Sequence, residues 1–240
     1  MVKKKILILS ANPTDTTRLH LSQEVREIQT GLQRAIKRER FEIITEWAVQ
    51  VEDLQHALLD HSPQIVHFSG HGSENDGLAL ENNSGELQYV STQPLVKLFE
   101  FFKDKIECVL LNACYSESQA QAIYQNINCV IGMRTAIGDC SAIKFAVGFY
   151  DALGAGRSYQ EAFNFGLTNL SFSNISESLI PQILIRNDSK YPSEKAFSSQ
   201  ELEKDIEQYL TSHLSKRYKL LEKVCGSIKA LVYKARDNYL

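Results

Sequence analysis

The 240-residue chain has only two methionines and five prolines, so it offers neither a Met-rich groove nor a proline-rich linker. Its five cysteines, Cys108, Cys114, Cys129, Cys140 and Cys225, are odd in number and contain no CxxC pair. That pattern indicates neither a disulfide framework nor a zinc knuckle. Long apolar runs are missing as well. The opening MVKKKILILSANPTD holds four strongly apolar residues, Ile6 to Leu9, against the roughly 7–15 of a signal-peptide core and about 20 of a membrane-spanning helix. The expectation is a cytoplasmic protein with reduced thiols and no membrane association. A net charge of -3 gives no basic field to gather nucleic acid. The 43% hydrophobic and 23% charged residues exclude a mainly disordered, collagen-like or disulfide-dense chain.

What is present is alternation. Short apolar runs at Lys5–Ser10, Glu42–Val49, Gln64–Ser69, Ile106–Leu111, Cys129–Gly132 and Gln182–Arg186 predict strands. Helical spacing predicts helices at Thr17–Arg38, Val51–Leu59, Thr92–Phe102, Ser116–Gln125, Ala142–Leu153 and Tyr159–Leu170. Leu78–Leu80 and Glu86–Val90 flank Asn82-Asn83-Ser84-Gly85, a hairpin signature. Several strands are apolar on both faces and separated by helices, the mark of a mostly parallel central sheet flanked by helices in an α/β fold. In such sheets chemistry collects beyond the carboxyl ends of the strands. The polar stretch 188–198 predicts a linker between a domain at 1–187 and a helical C-terminal extension at 199–240. The apolar stripe of that extension, from Ile206 to Val232, packs on the domain, docks a partner or starts a further domain.

Two motifs fall at strand ends. In His67-Phe68-Ser69-Gly70-His71-Gly72, His67 and Ser69 share a strand face with Ile65, and His67 reads as a buried, hydrogen-bonded residue. His71 lies beyond the strand between two glycines, where a ring can act as a base and Gly72 can bring a bare N–H to a substrate carbonyl. In Leu111-Asn112-Ala113-Cys114-Tyr115-Ser116, Cys114 follows a strand and precedes a helix, whose dipole favours thiolate. His71 is 43 residues upstream of Cys114. Caspases likewise carry their nucleophile after Ala, with the His about 50 residues before it.

Through ILSANP, HFSGHG, LNACYS and IGMRTAIGDCSAIKFAVGFYDAL, residues 4–187 resemble the CHAT-domain group of caspase-like cysteine proteases, relatives of caspases and separases. The resemblance implies His71 as general base and acid and Cys114 as nucleophile. It implies an oxyanion hole from the N–H groups of Gly72 and Cys114, with no metal or organic cofactor. Asn112 stands where caspases carry Gln. That places it among the substrate-binding candidates and argues against a caspase-type pocket for an Asp side chain. Asp139, 25 residues after Cys114, has two readings. It caps the helix expected near Ala142, or it lines the S1 pocket, as an acidic residue does in separases, and pairs with a basic side chain.

The leading expectation is therefore a cysteine endopeptidase that cleaves proteins after Arg or Lys. By resemblance it is an effector in bacterial defence or cell death, with a sensor or adaptor reached through 199–240. The alternative is a non-catalytic interaction module acting through that tail, against which the intact His71 and Cys114 count. A nucleotide-binding reading of the loop Ser10–Thr17 lacks both GxGxxG and GxxxxGK[ST].

Overall fold

The structure is a computed structural model that describes residues 3–173, 176–186, 218–227 and 230–237. The chain divides into two compact units, Met1–Tyr191 and Pro192–Leu240. In chain order the first contains β1 (Lys4–Ser10), α1 (Leu21–Arg34), β2 (Phe41–Trp47), α2 (Val51–His61), β3 (Ile65–Ser69) and β4 (Gly72–Ser73). These are followed by β5 (Gly77–Glu81), β6 (Leu87–Val90), α3 (Thr92–Phe101), β7 (Cys108–Asn112) and α4 (Glu117–Ile123). The unit closes with β8 (Cys129–Met133), α5 (Asp139–Gly154), α6 (Tyr159–Ser171) and β9 (Pro181–Ile185).

Six strands form one sheet in the order β2-β1-β3-β7-β8-β9, parallel throughout except for β9 against β8. The continuous apolar runs are explained by burial on both sides. Alternate residues Leu7, Leu9, Val66, Phe68, Val109 and Leu111 face one core with α2, α3 and α4. Ile6, Ile8, Ile65, Leu110 and Ile131 face the other with α1, α5 and α6. Phe145, Phe149 and Tyr150 of α5 are fully buried in this second core. At about 25 cal/mol per Å2 of apolar surface, rings of this size supply a large share of its hydrophobic stabilisation. The predicted hairpin is present: β4, β5 and β6 form a small antiparallel sheet, and Asn82 Oδ1 accepts from the N–H groups of Ser84 (2.8 Å) and Glu86 (3.0 Å) in its turn.

Two expectations need correction. The helix predicted from Thr17 begins at Leu21. Asn12 brackets Leu19, donating from Nδ2 to Leu19 O (3.1 Å) and accepting the Leu19 N–H at Oδ1 (3.2 Å), so Thr17–His20 stays a loop. In the second unit, the helix predicted across 199–240 is replaced at its end by two antiparallel strands, β10 (Tyr218–Ser227) and β11 (Ala230–Asp237). Their sequence is rich in Tyr, Val and Leu with Gly226-Ser227 at the reversal, a composition that serves a strand at least as well as a helix. The predicted linker 188–198 and the helix expected at 199–217 lie outside the described residues.

Candidate active site

The parallel strands β3 and β7 are neighbours in register, with Ser69 opposite Asn112. Two residues beyond Ser69 comes His71, and two beyond Asn112 comes Cys114, so both sequence motifs emerge side by side at one sheet edge. The loops are in backbone contact. A Cβ built on Gly72 would lie 2.3 Å from the Cys114 carbonyl oxygen and 3.2 Å from Ala113 Cβ, so only glycine fits there.

His71 is half-buried, and its Nε2–H donates to the Thr17 carbonyl at 2.6 Å. That bond fixes the tautomer and leaves Nδ1 as the basic nitrogen. The orienting group is thus a main-chain oxygen. Thr17 left no signal in the sequence because any residue supplies one.

Cys114 is also half-buried, and its thiol lies 3.7 Å from the Ile137 carbonyl. Among the described residues, no acceptor receives its backbone N–H. Tyr115, next in the chain, has φ +56°, an uncommon conformation outside glycine, and turns the chain sharply away behind the cysteine. Its N–H donates to Thr135 O at 3.3 Å, tying the turn to the loop after β8. The expected helix arrives three residues later as α4, which is seven residues long and has Glu117 in its first turn.

Asp139 is the first residue of α5, with Gly138 in the capping position. The reading of Asp139 as cap of a helix starting near Ala142 is therefore corrected: the helix starts earlier. Its carboxylate reaches instead to the start of α1, accepting the His20 N–H (3.0 Å) and lying 2.5 Å from His20 Nδ1. It keeps 25% of its side-chain surface exposed. Glu177, which the sequence did not single out, accepts the Gly138 N–H at 3.2 Å, one residue before Asp139.

Asn112 is buried, and its Nδ2 donates to Glu24 Oε1 (2.6 Å) and to Ala142 O (3.3 Å). Its Oδ1 has no partner among the described residues. Around Glu24 lies a polar cluster inside the core. Ser69 Oγ donates to Glu24 Oε2, and His67 Nε2 lies 3.1 Å from Oε1, an ion-pair approach without the alignment of a hydrogen bond. His67 Nδ1 is 3.1 Å from the Tyr150 hydroxyl, and the two rings stack at 5.6 Å. Burial pushes the Glu24 carboxyl up. The charge of His67 and the bonds from Ser69 and Asn112 outweigh burial and hold it below the usual range. A signal for Glu24 existed: it interrupts the apolar stripe Leu21, Val25, Ile28 of α1.

Residues 2–164 match the CHAT domain family. A protein of Gillisia limnaea named "Probable protease" is 28% identical over 155 residues, covering 64% of this chain and 27% of that protein. A "Roc-COR-CHAT protease" from an unknown prokaryotic organism is 29% identical over 157 residues, covering 62% of this chain and 15% of its own length. The chain thus matches only a minor part of these longer relatives. Among solved structures, the Arg-specific cysteine proteinase gingipain R superposes with a TM-score of 0.52 at 12% identity, covering 72% of this chain and 43% of that one. The Drosophila initiator caspase Dronc superposes with a TM-score of 0.50 at 8% identity, covering 75% and 79%. The sheet, its helices and the family match over residues 2–164 lead to one conclusion: the chain has a caspase-like fold and belongs to the CHAT domain family.

Proposed function

We propose that the chain is a cysteine endopeptidase in which Cys114 is the nucleophile and His71 the general base and acid. The observation that carries this reading is the backbone contact of the two motif loops, with Gly72 seated on the Cys114 carbonyl. His71 Nδ1 takes the Cys114 thiol proton, and the thiolate adds to the scissile carbonyl carbon. The oxyanion is received by the N–H groups of Cys114 and Gly72. The first of these has no acceptor among the described residues and is therefore available to an oxyanion. The imidazolium gives its proton to the departing amine, leaving a thioester. His71 then deprotonates a water, whose attack releases the acid and the thiol.

The substrate side chain preceding the cut is Arg or Lys in this reading. Asp139 and Glu177 flank Gly138, next to the Ile137 carbonyl that contacts the Cys114 thiol. A guanidinium entering there displaces His20 from Asp139 and meets two carboxylates, while an acidic side chain meets only repulsion. Asn112 lies beneath the same substrate site, buried and held by Glu24.

The relatives are several times longer than the matched region, so the peptidase acts beside other modules, as an effector in bacterial defence or cell death. The unit from Pro192 onward is its connection to a sensor or adaptor. A thiol-reactive peptide probe bearing Arg at P1 tests the chemistry. It should label the wild type at Cys114 and leave the Cys114→Ala protein unmarked. Absence of labelling at Cys114 would favour a non-catalytic interaction module.

A further inference from the structure

We infer that Glu24 is a positioning residue that clamps the two active-site loops together from beneath. The inference rests on the assignment of His71 and Cys114 given above. Glu24 is 2% exposed, on the face of α1 that otherwise packs apolar side chains into the core. A buried carboxylate is costly there, and an apolar residue would fill the space with less penalty. Its partners show what it holds. Ser69, 1% exposed, donates to Oε2 from the end of β3, two residues before His71. Asn112, 5% exposed, donates to Oε1 at 2.6 Å from the end of β7, two residues before Cys114. Because Ser69 and Asn112 are opposite each other across the strand pair, one carboxylate spans both strand ends.

Glu24 also lies in the first turn of α1, directly after the loop whose Thr17 carbonyl receives His71 Nε2. Its carboxylate therefore joins the base-bearing and nucleophile-bearing strands to the helix that follows the segment orienting the base. The titratable groups facing this cluster are His67 on β3, against Oε1, and Tyr150 on α5, against His67 Nδ1. His67, two residues before Ser69 in β3, approaches the carboxylate from further back along the strand.

The test uses the full chain as wild type, Glu24→Gln and Ser69→Ala. The pH dependence of Cys114 alkylation by iodoacetamide is read by mass spectrometry of the Cys114 peptide. It is paired with kcat and KM on an Arg-P1 peptide and with thermal unfolding. Alkylation needs no knowledge of the natural substrate, and its pH profile does not respond to a purely structural loss of stability in a protein that stays folded. The wild-type profile should differ from that of a His71→Ala control, whose Cys114 has lost the base that takes its proton. In Glu24→Gln the profile should move toward that of the His71→Ala control. There kcat should drop about 10²-fold, the cost of roughly 1 Å of misplacement, with KM little changed. Ser69→Ala should lose about tenfold, since Asn112 and His67 still hold the carboxylate. Folded variants whose profile and kcat superimpose on the wild type would overturn the clamp and leave the dyad standing. Should Glu24→Gln not fold, Ser69→Ala decides alone, and an unchanged kcat overturns the inference. A wild-type profile that superimposes on that of the His71→Ala control removes the dyad itself, and the clamp with it.

Discussion

The contact between Gly72 and Cys114 is the feature that brings the proposed base and nucleophile together, and Gly72→Ala perturbs it with a single methyl group. No left-handed backbone is required at position 72, so alanine is free to adopt the native conformation and the effect is steric. The new Cβ would sit 2.3 Å from the Cys114 carbonyl oxygen, where real Cβ atoms essentially never come closer than 3.0 Å. The obstacle is main chain, so the two loops must part by at least about 0.7 Å, close to the ~1 Å displacement that costs about 10²-fold in rate. The expected loss in kcat/KM is thus about 10²-fold, or about 2.7 kcal/mol of transition-state stabilisation. Folding stability should change less. Overpacking costs about 1–3 kcal/mol, and the reduced freedom of the unfolded chain returns about 0.4–1 kcal/mol. Steady-state cleavage of an Arg-P1 fluorogenic peptide, with urea unfolding of both proteins, measures the two effects separately. Wild-type kcat/KM in Gly72→Ala would refute the loop contact as the basis of the site.

Other consequences can be measured on the same material. Cys114→Ala and His71→Ala should fold with unfolding midpoints near wild type, because both side chains are half-buried on loops, and should lose peptide cleavage. Cleavage at the wild-type rate by either variant refutes the dyad. Asp139→Asn should lower kcat/KM for Arg-P1 peptides by about 2–4 kcal/mol, the cost of a lost desolvated charge pair. Glu177→Gln should weaken the same preference, and a P1 library with unchanged Arg preference in both variants would remove the two carboxylates from the pocket. Because Glu24 has its native carboxyl below the ordinary value of 4.5, the cluster stabilises the fold above that pH. The contribution is lost as the pH falls through the depressed native value. Acid unfolding of wild type and Glu24→Gln should therefore converge at low pH, and parallel curves across the whole range would contradict the assignment.

Much of the architecture was legible in the sequence because its causes are local. Apolar runs of four to six residues between helical stripes announced a sheet covered on both faces, and β1, β3, β7 and β8 lie where those runs stand. His71 and Cys114 stood out because each follows a buried strand, with glycine on both sides of one and Asn-Ala before the other. Tyr218–Ser227 and Ala230–Asp237 form strands where a helix is expected because Tyr, Val and Leu with few strong breakers satisfy a helical and an extended pattern alike; only pairing of β10 with β11 selects the strand. The parts of the site that tertiary structure alone decided are contacts between distant segments. Asp139 meets His20 across 119 residues, and Asn112 meets Glu24 across 88. The Thr17 carbonyl meets His71 across 54. Residue type announced none of these. A main-chain carbonyl is common to every residue, and an acid in an apolar stripe reveals that it needs partners without saying which. The strand order β1-β3-β7 supplies them, because it sets the start of α1 over the two strand ends where the His71 and Cys114 loops emerge.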